Sequence, residues 1–210
     1  MAFVWHKVNK SELETMNKIM HLLDAAWYAV ARACAWSSQI EYLPAYVNRR
    51  EMHESHSLGL IPASYGLTTA PGAARLIVEN EQYNELQIME LMTCARNALS
   101  FLTNTISTVQ LSRKSLDSDD GDDGDDETRF VIESLEETQN WCKKAVTGTK
   151  QGLRLLRDSF LGKRAFDRLY TAAKRGEKRL IKERRRLGLE CASAIGPIGE
   201  ELDLVDVNKI

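Results

Sequence analysis

Between Ile88 and Val109, apolar side chains recur in alternating steps of four and three residues. This seven-residue pattern keeps one stripe of a helix apolar through three repeats, so it predicts a long helix that packs against another helix. We expect this helix to begin near Ala73, to be broken around Glu81 and to run from Leu86 to Leu111. The pattern leaves open whether that neighbour belongs to the same chain or to a second copy. The candidate interface residues are Ile88, Met92, Leu99, Leu102 and Ile106.

Helical patterns also lie on both sides of this run. Ser11 and Glu14 form a capping-box pattern ahead of a long apolar repeat, which predicts the first helix. Further helices are predicted from about Thr128 to Phe160 and from about Lys163 to Leu187. Because the chain shows no long strand pattern and has only four prolines, we expect an all-α fold, an antiparallel bundle of four to five long helices.

Two segments lack this periodicity. Prolines and glycines interrupt residues 43–72, so we expect a long loop after the first helix. Residues 116–127 carry eight acidic side chains and two glycines, a composition typical of a mobile acidic loop. The predicted organisation is a single helical-bundle domain at residues 1–187, followed by an extended or disordered tail at residues 188–210.

Composition argues against several classes of protein. The chain has no stretch of about 18 uncharged apolar residues, so we expect no membrane span. The first residues lack the apolar segment of a secretion signal, which favours an intracellular, cytoplasmic protein. The four cysteines lie far apart, without the paired spacing of metal or redox motifs, so we expect reduced thiols. Trp27, Trp36 and Trp141 fall in predicted helices and are expected to fill the bundle core or an oligomer interface, with the core favoured.

Charge is strongly segregated along the chain. Residues 143–186 contain sixteen Lys and Arg against four acidic residues, a net charge of +12, whereas residues 1–142 have a net charge of −10. On the predicted last helix, six cations fall on one stripe opposite an apolar side. They are Arg164, Arg168, Arg175, Arg179, Lys182 and Arg186. Because a guanidinium group binds two phosphate oxygens at once, this stripe predicts polyanion binding, with RNA the favoured partner.

The preferred interpretation is a non-enzymatic helical binding and assembly protein that engages RNA through this basic stripe. An alternative is a protein-interaction or oligomerisation bundle without nucleic-acid binding, either a homo-oligomer or a chain whose basic stripe meets an acidic protein surface. In that alternative the stripe can also pair with the acidic loop of the same chain. In a third interpretation, the basic stripe is an ordinary charged helix face that contacts only solvent.

Motifs for enzymatic or metal chemistry are few. His53 and His56 belong to an HExH sequence, one residue shorter than the HExxH motif of zinc proteases. Arg50, six residues before His56, resembles the Arg and His pair of HEPN-type helical ribonucleases. The acidic loop does not fit the calcium-loop pattern, because Gly121 and Phe130 occupy ligand positions. We therefore expect a protein that is not an enzyme and that has no cofactor and no metal site.

The order of the central segments resembles that of coat proteins of rod-shaped plant viruses. In those bundles a mobile loop joins two long helices, and the second helix is followed by a basic residue, a short gap and Phe-Glu or a similar pair. Here the acidic loop joins the helices at 86–111 and 128–160, and KRAFD follows at Lys163 to Asp167, with Asp in place of Glu. The resemblance implies a coat-like protein of a helical nucleoprotein assembly, with RNA contacts in the loop and its flanking helices.

Overall fold

Four long helices and two very short strands make up the part of the chain that the structure describes. A computed structural model describes residues 4–40, 47–117 and 126–160, and 93% of these residues are helical. In chain order the elements are β1 (His6–Lys7), α1 (Lys10–Gln39), α2 (Val47–Asn80), β2 (Gln82–Tyr83), α3 (Glu85–Asp117) and α4 (Asp126–Phe160). The prediction of an all-α fold built from long helices is confirmed for these residues.

The N-cap of helix α1 lies two residues before Ser11, the residue that was predicted to cap it. Asn9 is the N-cap: its side-chain Oδ1 accepts from the backbone N–H of Glu12 at 2.9 Å, and Glu12 Oε2 accepts from the backbone N–H of Asn9 at 2.9 Å. This reciprocal pair satisfies two N–H groups that have no partner in the first turn of a helix. The predicted pair, Ser11 and Glu14, lies inside the helix instead.

A second reciprocal capping pair, of the kind formed by Asn9 and Glu12, begins α3. The backbone N–H of Gln87 donates to Asn84 Oδ1 at 3.0 Å, and the backbone N–H of Asn84 donates to Gln87 Oε1 at 3.1 Å. Just before it, Glu81 has a φ of 49°, in the left-handed region that ends a helix. The break that the sequence pattern predicts near Glu81 is therefore present. Strand β1 pairs antiparallel with β2, which lies in the connection between α2 and α3.

The predicted loop at residues 43–72 was wrong. From Val47 onward this segment is α2, a helix that contains Pro62 and Pro71. A proline inside a helix costs about 3 kcal/mol, so the two breakers must be offset by packing. Six residues at steps of three and four are at most 1% exposed: Leu60, Ala63, Leu67, Ala70, Ala74 and Ile77. Their burial against the neighbouring helices explains why the helix persists through both prolines.

All four helices contribute to the main hydrophobic core, and a second, smaller cluster is formed by Ile40, Val109, Val131 and Leu135. Helix α1 packs against α2 and α4, and α3 packs against the same two helices. Four of the predicted interface residues are buried in this core, and the fifth is half-buried against it: Ile88, Met92, Leu99, Leu102 and Ile106. The neighbour that the seven-residue pattern left open is therefore in the same chain.

Several predictions fall on residues outside the described ranges. These are the predicted helix at 163–187, the tail at 188–210, and residues 118–125 of the acidic loop. The acidic segment begins in α3, which ends at Asp117, and ends in α4, which begins at Asp126. None of the helices in the described ranges carries an apolar run sufficient to cross a lipid bilayer.

Candidate functional site

The C-terminal half of α4 carries a row of cations. At about 100° per residue, Lys143, Lys150, Arg154 and Arg157 fall within an arc of about 60° on one side of the helix. The side chains of Lys143 and Arg154 are exposed, while those of Lys150 and Arg157 are half-buried. Arg157 Nε donates to the carboxylate of Asp158 at 2.8 Å. We call these four residues the basic row. They belong to residues 143–186, the region with a net charge of +12, which the structure describes as far as Phe160.

The basic row lies on a helix whose charges change sign along its length. The first half of α4 carries Glu133, Glu136 and Glu137, and Glu136 Oε1 pairs with Arg113 of α3 at 2.7 Å. Acidic side chains near the start of a helix and basic ones near its end both stabilise it through the helix dipole. Helix stability therefore accounts for part of this charge pattern, whereas alignment of four cations on one side exceeds what the dipole requires.

A second group of side chains lies where α4 meets α1, and we call it the aromatic cluster: Tyr28, Arg32, Trp141 and Lys144. Lys144 Nζ lies 3.9 Å and Arg32 Cζ 5.5 Å from the centroid of the Trp141 ring. Tyr28 meets Trp141 edge to face, with ring centroids 6.2 Å apart and an interplanar angle of 83°. Two cations and two aromatic rings thus meet on the surface between α1 and α4.

A close approach of α1 and α4 brings this cluster together. A Cβ atom placed on Gly148 would lie 3.1 Å from the carbonyl oxygen of Leu22 and 3.4 Å from Ala26 Cβ, so the absence of a side chain lets the two helices come close. Trp141 lies two turns before Gly148, at the level of Tyr28 and Arg32. The glycine that weakens helix propensity in the sequence is therefore a packing residue.

The tryptophans are less buried than predicted. Trp27 is 42% exposed, and Trp36 and Trp141 are half-buried. Trp141 packs against the core, as the core interpretation expects, whereas that interpretation is wrong for Trp27, whose ring is exposed. Tyr28, next in the chain, is 56% exposed.

The two histidines of the HExH sequence come together with three serines, in what we call the histidine cluster. It joins the end of α1 to the first part of α2 and the last part of α3. Its members are Ser37, His53, His56, Ser57 and Ser112. His56 is fully buried, and His53 is half-buried.

The hydrogen bonds of this cluster are satisfied with both imidazoles neutral. His53 Nδ1 donates to the backbone carbonyl of Ser37 at 3.1 Å, and its Nε2 accepts from the Ser57 hydroxyl at 3.2 Å. The Ser37 hydroxyl then donates to His56 Nδ1 at 3.4 Å, and His56 Nε2 donates to Ser112 Oγ at 3.3 Å. These proton positions are assigned from the partners of each nitrogen. Burial, and next the charge of His53, lower the pKa of His56 to about 4.

The described side chains of the histidine cluster do not make up a metal site. In the described ranges, no three His, Cys, Asp or Glu side chains converge on one point. His56 is sealed in the core, where a substrate cannot reach it. The cluster therefore has the features of a structural clasp between three helices, with its polar atoms paired inside the bundle.

The described cysteines are also structural. Cys34, Cys94 and Cys142 are free thiols, as the spacing predicts. Burial raises the pKa of Cys142 to about 12 and also raises the pKa of Cys34 and of Cys94. Because the thiolate is the reactive form, these three residues are poor nucleophiles at neutral pH.

The six cations predicted to bind a polyanion, Arg164, Arg168, Arg175, Arg179, Lys182 and Arg186, lie outside the described ranges. What the described structure adds to them is the basic row and the aromatic cluster. Comparison with family models, with curated proteins and with solved structures finds no match to this chain.

Proposed function

We propose that this protein is a non-enzymatic binding protein that holds RNA on a basic surface. The described part of this surface is the basic row of α4, and the sequence carries eleven further Lys and Arg at residues 163–186, six of them on the predicted stripe. The observation that carries the proposal is the alignment of Lys143, Lys150, Arg154 and Arg157 on one side of α4. Each cation that neutralises a phosphate releases bound counterions, so such a row gives affinity without reading sequence.

A bundle with helices of alternating direction would present this row on a rigid surface, and the contacts support that arrangement. Gly59 of α2 lies against Thr105 of α3, whereas Gly66, one step of seven later, lies against the earlier Ala98. Rising residue numbers in one helix meet falling numbers in its neighbour, which is the relation of antiparallel helices. The approach of Gly148 to Ala26 and of Gly152 to Leu23 gives the same relation for α4 and α1.

The proposal is tested by reversing three charges of the row. We expect the triple variant Lys143→Glu, Lys150→Glu, Arg154→Glu to bind a labelled single-stranded RNA at least about tenfold more weakly than the wild type, because three phosphate contacts become repulsive. The slope of log affinity against log salt should also fall by about two, since each contact to a single strand contributes about 0.7. Fluorescence anisotropy across a salt series measures both quantities.

A matched control variant tests whether the loss of RNA affinity depends on the basic row itself or only on the total charge of the protein. The variant Lys10→Glu, Arg75→Glu, Lys114→Glu changes the total charge by the same amount at exposed cations of α1, α2 and α3. It should lose little affinity, because exposed charges more than about 10 Å apart are largely screened at 0.1 M salt. Equal losses in both variants, or no RNA binding by the wild type at low salt, would contradict the proposal.

Self-association is a second candidate function, favoured by an exposed apolar face on α2. Leu58, Ile61, Tyr65 and Leu76 on this helix are each more than half exposed. They lie within or next to residues 55–74, a stretch of twenty residues without Asp, Glu, Lys or Arg. A two-fold contact places the same surface on both copies, and this face has no charge with which to repel itself. A second copy of the chain is therefore the partner that this face favours.

The test of this candidate is the oligomeric state. We expect the double variant Ile61→Glu, Tyr65→Glu to sediment as a monomer at concentrations where the wild type sediments as a dimer, because four carboxylates would meet in the contact. The control is Leu111→Glu on α3, which is 67% exposed and lies away from this face. A wild-type protein that stays monomeric at about 100 μM would rule out a dimer of biological strength.

A further inference from the structure

We infer that the exposed apolar face of α2 continues onto α1 at Trp27, and that two copies of this chain meet on it with their α2 helices antiparallel. The inference rests on the self-association proposed above, and it adds the orientation of the two copies and the residue that anchors their contact. It is carried by the exposure of Trp27 and by the positions of Leu58 and Leu76 on α2.

The first step is the level of Trp27 along α2. The start of α1 lies beside the end of α2, because the backbone N–H of Val8 donates to the carbonyl oxygen of Glu81 at 2.9 Å. The end of α1 lies beside the start of α2, because Ser37 Oγ lies 3.3 Å from His53 Nδ1. Trp27, close to the middle of α1, is therefore level with the middle of α2.

The second step is the side of α1 on which Trp27 lies. Gly148 of α4 approaches Leu22 and Ala26, which at 100° per residue lie 100–140° around α1 from Trp27. The fully buried Leu23 lies between them. Because α1 packs against α2 as well as α4, Trp27 lies on the flank next to α2. Its side chain is 42% exposed, so much of the ring faces solvent at the border between the two helices.

The third step is the flank of α2 that adjoins Trp27. Gly59 and Gly66 meet α3, and Ile61 lies 140–160° around α2 from both of them. Ile61 therefore lies away from α3, on the side nearer α1, and it is 53% exposed. Trp27 thus extends the apolar face of α2 onto a second helix.

The size of this combined face suits a contact between two copies. The exposed parts of its five large side chains amount to about 500 Å². Between them lie the uncharged and exposed Thr68, Thr69 and Gly72, which add to the area. The total approaches the roughly 800 Å² per partner that a specific interface buries.

The fourth step is the symmetric placement of residues along α2. Leu58 and Leu76 are 18 residues apart, which is five full turns, so they lie on one line of the helix about 27 Å apart. Tyr65 and Thr69 each lie two residues from the midpoint of this line. When two copies pack antiparallel about the midpoint, Leu58 of each copy meets Leu76 of the other. The bulky Tyr65 then meets the smaller Thr69, so large and small side chains are matched in both halves of the contact.

The antiparallel arrangement also brings the two Trp27 rings together. A two-fold axis that relates antiparallel helices is perpendicular to both, so the α1 helices of the two copies lie on the same side of the α2 pair. Because Trp27 is level with the middle of α2, each ring lies close to this axis and packs against the other copy. Tryptophan is among the residues that contribute most to binding at protein interfaces. Trp27 is therefore the anchor of the contact.

The first experiment removes the anchor. We expect Trp27→Ala to weaken the dissociation constant of the dimer about thirtyfold or more, measured by sedimentation of the full chain over a range of concentrations. The matched control is Trp5→Ala, at a tryptophan that is 52% exposed beside β1, at the far end of the bundle from the centre of this face. It should dimerise like the wild type. Circular dichroism shows whether each variant keeps the helix content of the wild type.

The second experiment tests the orientation and leaves Trp27 in place. Leu58→Cys and Leu76→Cys are prepared separately, one with a mass tag, and oxidised with copper phenanthroline alone and as a mixture. We expect a disulfide-linked dimer of one variant with the other in the mixture. Either variant alone should give no more dimer than the wild type, which controls for the native cysteines, because the same residue of two copies would lie about 27 Å apart.

The outcomes separate this inference from self-association itself. A wild type that stays monomeric at about 100 μM would overturn self-association. If the wild type dimerises but Trp27→Ala dimerises equally well, or Trp5→Ala loses as much, Trp27 is not the anchor. Single cysteine variants that cross-link alone, with no cross-link between them in the mixture, would show a parallel contact and overturn the antiparallel arrangement.

Discussion

Replacing Gly66 with valine is expected to lower the free energy of unfolding by about 3 kcal/mol, because it inserts a branched side chain where α2 and α3 nearly touch. A Cβ atom on Gly66 would lie 2.8 Å from the carbonyl oxygen of Cys94 and 3.1 Å from Ala98 Cβ. The carbonyl belongs to the backbone of α3, so only movement of a whole helix relieves the clash. Since domains of this size have only about 5–15 kcal/mol of stability, a large fraction is lost.

The control for this experiment is Gly72→Ala on the same helix. Nothing lies within 4 Å of a Cβ atom placed on Gly72, and the position is exposed. Alanine there should raise the free energy of unfolding by about 0.5–1 kcal/mol, since glycine disfavours helix. Urea denaturation of both variants measures the two changes. If Gly66→Val unfolds at the wild-type urea concentration, then the close packing of α2 on α3 is wrong.

These two glycines show why α2 was missed from the sequence up to residue 72. Glycine and proline normally mark turns, and residues 43–72 contain several of them. Yet a regular apolar pattern runs through this segment and on to Ile77, and three of its six members are alanines, Ala63, Ala70 and Ala74. Alanine is a weak signal of a buried stripe, because it occurs on exposed helix faces as well. In a helix that approaches its neighbour closely, small residues form the buried side. The burial of these residues in α2 outweighs the tendency of its glycines and prolines to break the helix.

The other described helices were predicted because large apolar residues mark their buried sides. In α3 the seam includes Ile88, Leu99 and Leu102, which are at most 3% exposed. A pattern of that kind depends only on residues three and four positions apart, so a short stretch of sequence is enough to predict the helix. The direction of each helix and its partner in the bundle depend on contacts between distant segments, which leave no local pattern.

The same distinction applies to the candidate sites. His53 and His56 were visible as a pair in the sequence, but the serines that bond them, Ser37 and Ser112, lie 16 and 56 residues away. Tyr28 and Trp141 likewise meet only through the packing of α1 on α4. The basic character of α4 could be read from the sequence, because charge content is additive along the chain.

Acidification from pH 7 to about pH 4 is expected to remove about 3 kcal/mol of stability through His56 alone. The pKa of this histidine is lowered to about 4 in the folded protein, from an ordinary value of 6.5. Between these two values the unfolded chain binds a proton that the folded chain does not, so unfolding becomes easier as the pH falls. Above pH 6.5 both states are neutral and the contribution is complete.

The physical cause lies in the histidine cluster. A protonated His56 would carry its charge in the core and would have to donate from both nitrogens, to Ser37 and to Ser112. The nearest imidazole, His53, would repel it. The clasp between α1, α2 and α3 is therefore stable only while His56 is neutral, because a buried charge without a counter-charge is costly.

The measurement is urea denaturation at several pH values for the wild type and for His56→Gln, which keeps a polar side chain but has no proton to bind. Carboxylates contribute to both profiles, so the quantity of interest is the difference between the two proteins. We expect the variant to be clearly less stable than the wild type at pH 7 and the difference to shrink by about 3 kcal/mol towards pH 4. His21→Gln, at an exposed histidine of α1, should keep the wild-type profile. If the difference between His56→Gln and the wild type stays constant across this range, then His56 does not couple protons to folding.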